Sequence, residues 1–506
     1  MIVTGPSPRR GAGPVVAVAG LIVLPALALV GLWRFAAGRD GDGGPEVSIP
    51  PTTVAEQAAA VGVPQLPTPL LSLRRVPGLI ARELNAGGFA EQVAAFGNTL
   101  DSSSCLVVEL DGVEVGAHNP DLAVIPASNQ KLLTAAAALH VLGPDHTFTT
   151  EVRAPDVAGG VVAGDLYLVG GGDPLLRTPD WDGELIGYPL PAEATNLDAL
   201  AEQIVAAGIG RIDGSVLGDG SRYDDELYHD HWSDDVRVAE AGPLSALLVN
   251  DDRLLAGGEW TVANSPNAGA AAELTRMLEA RGVTVAGEPG SGAAPGGAEL
   301  VAQVQSAPLR TVIFEMLSTS DNNTAELLIK ELGVATGAAG TTDAGVAVVA
   351  QAMGELGIDT SQLVVADGSG LSNDNRVSCR AITQLLRRHV PGDDLAAGLP
   401  VAGRSGTLGE AFVDTPMEGV LLGKTGSLGN PPYNADPPSV KALAGYVPVE
   451  GGGTIQFALI LNNRAANVAD MSVNRPVWDA FAEVLGSYPS GPTAAQLGPI
   501  RAETAG

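Results

Sequence analysis

Lysine is scarce in this chain: 506 residues hold four, at positions 131, 330, 424 and 441, and two of them complete short motifs. Lys131 ends Ser128-Asn129-Gln130-Lys131, the one S-x-x-K in the sequence, and Lys424 opens Lys424-Thr425-Gly426, the one K-T-G. Between them stands Ser320-Asp321-Asn322. Taken singly each is weak, since S-x-x-K arises by chance in roughly one such chain in four and K-T-G in about a few per cent. S-x-N is weaker still, because Ser265-Pro266-Asn267 and Ser472-Val473-Asn474 also match. Taken together they constrain the fold, which must gather three loci separated by 192 and 104 residues into one place.

The chemistry of these residues explains why they belong together. Positions three apart on a helix share a face, so the Ser128 hydroxyl and the Lys131 amine fall within hydrogen-bond reach as nucleophile and base. A lysine acts as base near pH 7 only when desolvation or a second cation, such as Lys424, lowers its pKa. The helix N-terminus offers backbone N–H groups to a developing oxyanion, a role that falls to the N–H of Ser128.

The rest of the sequence sets the context. A formal net charge of −30 makes nucleic acid a poor partner, because phosphate binding needs clustered Lys and Arg. Val15 to Trp33 carry no charge over a length able to cross a bilayer; Arg9 and Arg10 precede them and no A-x-A site follows, so an uncleaved signal anchor is expected. Cys105 and Cys379 lack neighbours at ligand spacing, so no metal site is expected; a disulfide and two buried thiols both remain open.

Apolar spacing predicts a helix from about Val76 to Gly97, then a hairpin of Cys105–Leu110 and Val113–His118 about Asp111-Gly112. Ser128 is expected on the first turn of a buried helix closed by Gly143-Pro144. After an amphipathic helix at 270–280, Asn323 begins a helix stopped at Gly333; strands are expected at 419–426, 442–447 and 454–462, and a last helix at 475–485. If the early hairpin joins the late strands, the result is α+β: an antiparallel sheet flanked by helices, with the site at a strand edge facing Ser128.

With these residues in view the chain resembles the D-alanyl-D-alanine carboxypeptidase/endopeptidase family, the class C low-molecular-mass penicillin-binding proteins. The likeness extends to Leu166–Pro174, Gly242–Leu247, Asp367–Ser372 and Gly406–Leu408, which we take as structural turns. The resemblance implies a penicillin-binding-protein/serine β-lactamase-like domain with an inserted accessory domain. The insert looks shorter than in members with two accessory domains, so one of these is expected to be reduced or missing. The expected division is a cytoplasmic N-terminus (1–13), a transmembrane signal anchor (14–37), a flexible linker (38–75), a serine peptidase domain (76–151 and 306–486), the insert (152–305) and a disordered tail (487–506).

By the same resemblance, Ser128 attacks the penultimate D-Ala carbonyl of a peptidoglycan stem peptide while Lys131 takes its proton. Ser320 relays a proton to the leaving amine, Asn322 binds the substrate amide, and Lys424, Thr425 and Gly426 bind substrate, with Lys424 and Thr425 on the terminal carboxylate. The N–H groups of Ser128 and Ser427 form the oxyanion hole, β-lactams acylate Ser128, and no cofactor is needed. Peptidoglycan lies outside the cytoplasmic membrane, so the catalytic domain is expected there, membrane-anchored, or secreted if the N-terminal segment is cleaved. A β-lactamase is disfavoured by the lack of an E-x-x-x-N element after Ser320, and a non-catalytic wall-binding scaffold by the intact motifs. The choice between carboxypeptidase and endopeptidase action stays open.

Overall fold

The computed structural model describes residues 76–498, apart from 182–192, 233, 235, 238–239, 257–258, 431–434, 450–452 and 463–470. The expected anchor and linker at 14–37 and 38–75 lie outside the described residues; among these, no helix is long and apolar enough to cross a membrane. Helix α1 (Val76–Gly97) ends at the expected glycine. Strands β1 (Cys105–Leu110) and β2 (Val113–His118) pair antiparallel about Asp111 and Gly112, whose φ angles of 52° and 77° are those of a type I′ turn. The apolar run of β1 has a simple cause: both its faces are covered, Cys105 and Val107 by one core, Leu106, Val108 and Leu110 by another.

A 3₁₀ turn at Ala127–Asn129 leads into α2 (Gln130–Val141), buried from Gln130 to Ala138. Ser128 therefore sits in the turn that feeds the α-helix, one step before the expected place. Ala127 adopts a left-handed φ of 48°, so the chain enters sharply and regular α geometry starts only at Gln130.

The insert follows with β3 (Thr149–Ala154), β4 (Leu166–Val169), α3 (Asp198–Ala206), β5 (Val216–Asp219), α4 (Pro266–Ala280), β6 (Gly290–Ser291) and β7 (Glu299–Gln305). Its larger sheet has the order β6-β5-β4-β3-β7 among the described residues and mixes parallel with antiparallel pairs. Val152, Leu168, Ile204 and Leu274 belong to a core made wholly of insert residues. Helix α4 begins where Ser265 accepts the Ala268 N–H, with Pro266 at its first position.

The chain then returns through α5 (Leu309–Thr319), α6 (Asn322–Ala335), α7 (Cys379–Arg388), β8 (Leu422–Asn430), β9 (Ala435–Pro448), β10 (Thr454–Leu461), α8 (Met471–Gly486) and α9 (Ala494–Leu497). The sheet order β8-β9-β10-β1-β2, antiparallel throughout, joins the early hairpin to the late strands and leaves β8 at an edge. Helix α2 covers one face, while α1 and α8 cover the other through Phe89, Phe96, Trp478 and Phe481. Each such buried side chain contributes about 1.5–3 kcal/mol. Cys105 and Cys379 are joined as a disulfide that ties β1 to the start of α7.

Two expectations are corrected. Helix α6 does not stop at Gly333 but runs to Ala335. Gly333 is there for packing: a Cβ on it would lie 2.4 Å from the Ala339 carbonyl oxygen. Nor are residues 487–498 a disordered tail, since Asn85 of α1 donates to the Pro492 carbonyl and α9 packs against α1. Described residues of the insert, among them Arg222, Tyr223, Trp232 and Leu244, also pack back on α6. Arg222 makes a two-pronged pair with Glu331, and Tyr223, Trp232 and Leu244 share an apolar cluster with Leu327 and Leu371.

Candidate active site

The three motifs meet in one cleft of roughly 310 Å³ between the Ser128 turn, the α5–α6 junction and the edge strand β8. Ser128 is half-buried and opens to it. Lys131, one turn along α2, is fully buried, and its Nζ donates to Ser128 Oγ (3.2 Å), Asn322 Oδ1 (2.7 Å) and the Ser369 carbonyl (2.8 Å). All three acceptors are neutral oxygens. Burial pushes the Lys131 pKa down to about 8, while more distant Asp321, Glu326, Asp367 and Glu240 pull it back up.

Ser320 stands between α5 and α6 in a left-handed conformation, φ 67°, which no β-branched residue would take readily. Asp321 caps α6 by accepting the Thr324 N–H, so the middle residue of S-D-N holds the helix start rather than the substrate. Its carboxyl lies in a buried cluster with Glu315 and Asp251, where burial pushes all three pKa values upward and repulsion from Asp321 adds to the rise at Glu315 and Asp251. Asn322 is oriented from both ends, its oxygen by Lys131 and its Nδ2 by the Glu240 carbonyl of the insert (2.6 Å).

On β8, alternate residues point to opposite faces. Lys424 and Gly426 lie on the α2 side, with partners Ala444 and Ala442 in the core beneath α2; Thr425 and Ser427 point the other way. Gly426 is required by close approach, since a Cβ there would sit 3.1 Å from the Ser128 nitrogen and 3.0 Å from the Pro126 oxygen. Its absence lets the strand run beside the Ser128 backbone. Lys424 is fully buried and donates to Ser320 Oγ (2.8 Å) and to the Thr425 carbonyl (3.0 Å). Burial and the neighbouring Lys131 hold its pKa well below the ordinary lysine value. The side chains of Lys424 and Thr425, both expected on the terminal carboxylate, leave opposite faces of the strand, Lys424 toward Ser320 and Thr425 toward Thr407.

The structure thus brings Ser128, Lys131, Ser320, Asn322, Lys424, Thr425, Gly426 and Ser427 to one cleft, whereas Cys105 and Cys379 form their disulfide in the core. Other participants escaped sequence reasoning. Ser369 belongs to Asp367–Ser372, taken as a structural turn; Asp367 does organise it, accepting the N–H groups of Gly370 and Ser372, the Asn375 Nδ2 and the Trp232 Nε1, but the turn aims a carbonyl at Lys131. Thr407, also in a stretch taken as a turn, accepts a hydrogen bond from Thr425 Oγ1 (2.7 Å). Glu240 reaches the cleft from the insert, and Lys441 and Trp478 line it from β9 and α8; none stands in a motif.

A cleft-facing serine paired with a buried lysine beside an edge strand, on a sheet closed by both ends of the chain, defines a serine acyl-transferase of the penicillin-binding type. The D-Ala-D-Ala carboxypeptidase 3 (S13) family model matches residues 100–269 and 255–484, and the chain belongs to that family of serine-type D-Ala-D-Ala carboxypeptidases. It is 31% identical to the D-alanyl-D-alanine carboxypeptidase of Actinomadura sp. (strain R39), over 88% of this chain and 93% of that one. A carboxypeptidase of Mycobacterium tuberculosis is 32% identical over 74% of this chain and 78% of its own. The crystal structure of penicillin-binding protein 4 from Haemophilus influenzae superposes with a TM-score of 0.62 at 20% identity, covering 79% of this chain and 98% of that one, and so shares the fold.

Proposed function

We propose that the cleft removes D-Ala from peptidoglycan stem peptides through an acyl-enzyme on Ser128, with carboxypeptidase and endopeptidase action drawing on the same chemistry. The observation that carries this reading is the convergence on Lys131 Nζ of Ser128 Oγ and Asn322 Oδ1, with Lys424 on Ser320 across the cleft. Ser128 Oγ attacks the penultimate D-Ala carbonyl carbon as its proton passes to Lys131. The N–H groups of Ser128 and Ser427 receive the oxyanion. Ser320 Oγ accepts from Lys424, which leaves its own proton directed at the leaving nitrogen; the C–N bond breaks and D-Ala departs. Water then attacks the ester and restores Ser128. The second amide hydrogen of Asn322, the one not held by Glu240, is available to the substrate amide.

A β-lactam presents the same carbonyl to Ser128 and, having no leaving group that departs, stays attached. Fluorescent penicillin should therefore label the fragment 40–506 covalently and leave Ser128→Ala unlabelled, read by gel and intact mass. A folded parent that takes no label would replace the peptidase with a wall-binding scaffold of the same fold.

The site of action belongs outside the cytoplasmic membrane, with 14–37 as an anchor. In support stand the uncharged run from Val15 to Trp33, the Cys105–Cys379 disulfide, favoured in oxidising compartments, and the location of peptidoglycan. Carbonate-resistant membrane association, together with activity of an exported reporter fused after Gly506, is the expected result; recovery in the cytosol would break this assignment.

A further inference from the structure

Lys441 is the third of the four lysines to reach the cleft, and no motif contains it. It stands on β9 directly across from Ser427 of β8, so the two side chains share the face of the sheet turned toward α8. There Lys441 Nζ donates to Ser427 Oγ. The ammonium lies 5.9 Å from the ring centre of Trp478, within cation–π range, and Lys441 is 4% exposed. Ser427 itself is exposed to the cleft, two residues beyond Thr425 on the same face of the strand, and Thr425 is linked in turn to Thr407.

These positions answer a question left by Lys424. A substrate ending in D-Ala brings a terminal carboxylate that must lie past the scissile bond, along β8. Lys424 Nζ is fully buried on the opposite face and is taken up by Ser320 and the Thr425 carbonyl. The hydroxyls of Ser427 and Thr407 face the cleft as neutral donors, the Thr425 proton being given to Thr407. A cation set behind one of them polarises that hydroxyl toward an anion without competing for the space the anion needs.

We propose that Lys441 is a positioning residue for the terminal carboxylate, acting through the Ser427 hydroxyl, and that it supplies the positive charge by which this cleft selects a free C-terminus. The inference rests on the D-Ala-D-Ala reading of the site.

The test compares two acyl-D-Ala-D-Ala peptides that differ only in ending as carboxylate or as carboxamide. For the parent, kcat/KM should favour the carboxylate. In Lys441→Met that preference should shrink about 10- to 100-fold, through a raised KM for the carboxylate peptide with kcat little changed, while the amide peptide is turned over as before. Lys441→Arg should restore most of the preference. An equal loss on both peptides, or an unchanged ratio, overturns the proposal. Should Lys441→Met not fold, judged by its melting curve, the same ratio is read on Lys441→Gln and on Ser427→Ala. A parent that hydrolyses neither peptide counts against the proposed function itself, a result distinct from any change in the ratio. Acylation by benzylpenicillin against its methyl ester then reads the same charge preference: loss of the preference in Lys441→Met supports the assignment, and its persistence removes it.

Discussion

Lys131 on α2 and Lys330 on α6 are both fully buried, on helices that pack against each other, yet their surroundings differ in kind. Lys330 meets charge: its ammonium pairs with the Asp224 carboxylate, with that of Glu226 at 3.7 Å, and donates to the Glu226 carbonyl at 3.1 Å. Lys131 meets three neutral oxygens and shares the cleft with Lys424. Burial alone does not make a base. What faces Nζ decides whether a buried lysine serves as half of an ion pair or is available as a base. One lysine fastens the insert to the peptidase core, and the other is poised for proton transfer.

The sharpest way to break this comparison is to remove each cation in turn. Lys131→Met should lower kcat/KM and penicillin acylation by about 10²–10⁴-fold, with little loss of melting temperature, because no carboxylate touches the ammonium. Lys330→Met should do the reverse. Asp224 loses its partner at the seam, so stability should fall by about 3 kcal/mol in urea unfolding while turnover per folded molecule stays within about threefold. If the two variants behave alike, the distinction fails.

A third substitution sets charge aside. Cys379→Ser opens a covalent tie between residues 274 apart, and should cost about 2–4 kcal/mol, read as a lower urea midpoint, with the acylation rate of the folded fraction unchanged. A fall in acylation as large as the fall in stability would mean that the tie shapes the cleft as well.

The smallest effects lie in pH. With the Lys131 pKa near 8, about a tenth of the lysine is neutral at pH 7, so acylation should rise about tenfold between pH 7 and 9 and then level. A flat profile would remove Lys131 as the base. Linkage has a matching sign. The folded pKa lies below the ordinary lysine value of 10.5, so between about 8 and 10.5 the unfolded chain binds this proton more tightly. Lys131 should thus make the protein gain stability as pH rises through that window, an increment that Lys131→Met should lack.

Much of the architecture was legible in local sequence. The Asp111-Gly112 hairpin, the helix closed by Gly97 and the strand at 454–461 follow from turn chemistry and apolar spacing, which act over a few residues. Gly333 misled because a glycine near a helix end reads as a stop, whereas here it makes room for the Ala339 carbonyl. The docking of residues 491–497 on α1 was illegible because its partner, Asn85, lies some 400 residues away.

The site divides in the same way. Ser128, Lys131, Ser320, Asn322 and Lys424 could be named from the chain because each motif fixes residue types at short spacing, and helical geometry alone joins Ser128 to Lys131. What surrounds each ammonium could not be named, because it is assembled from distant segments. The Ser369 carbonyl comes from a loop held by Asp367, the Glu240 carbonyl from the insert, and Lys441 is brought opposite Ser427 by strand register. Sequence determined which groups can do chemistry; tertiary structure decided their surroundings, and with them which lysine is poised as a base and which is half of an ion pair.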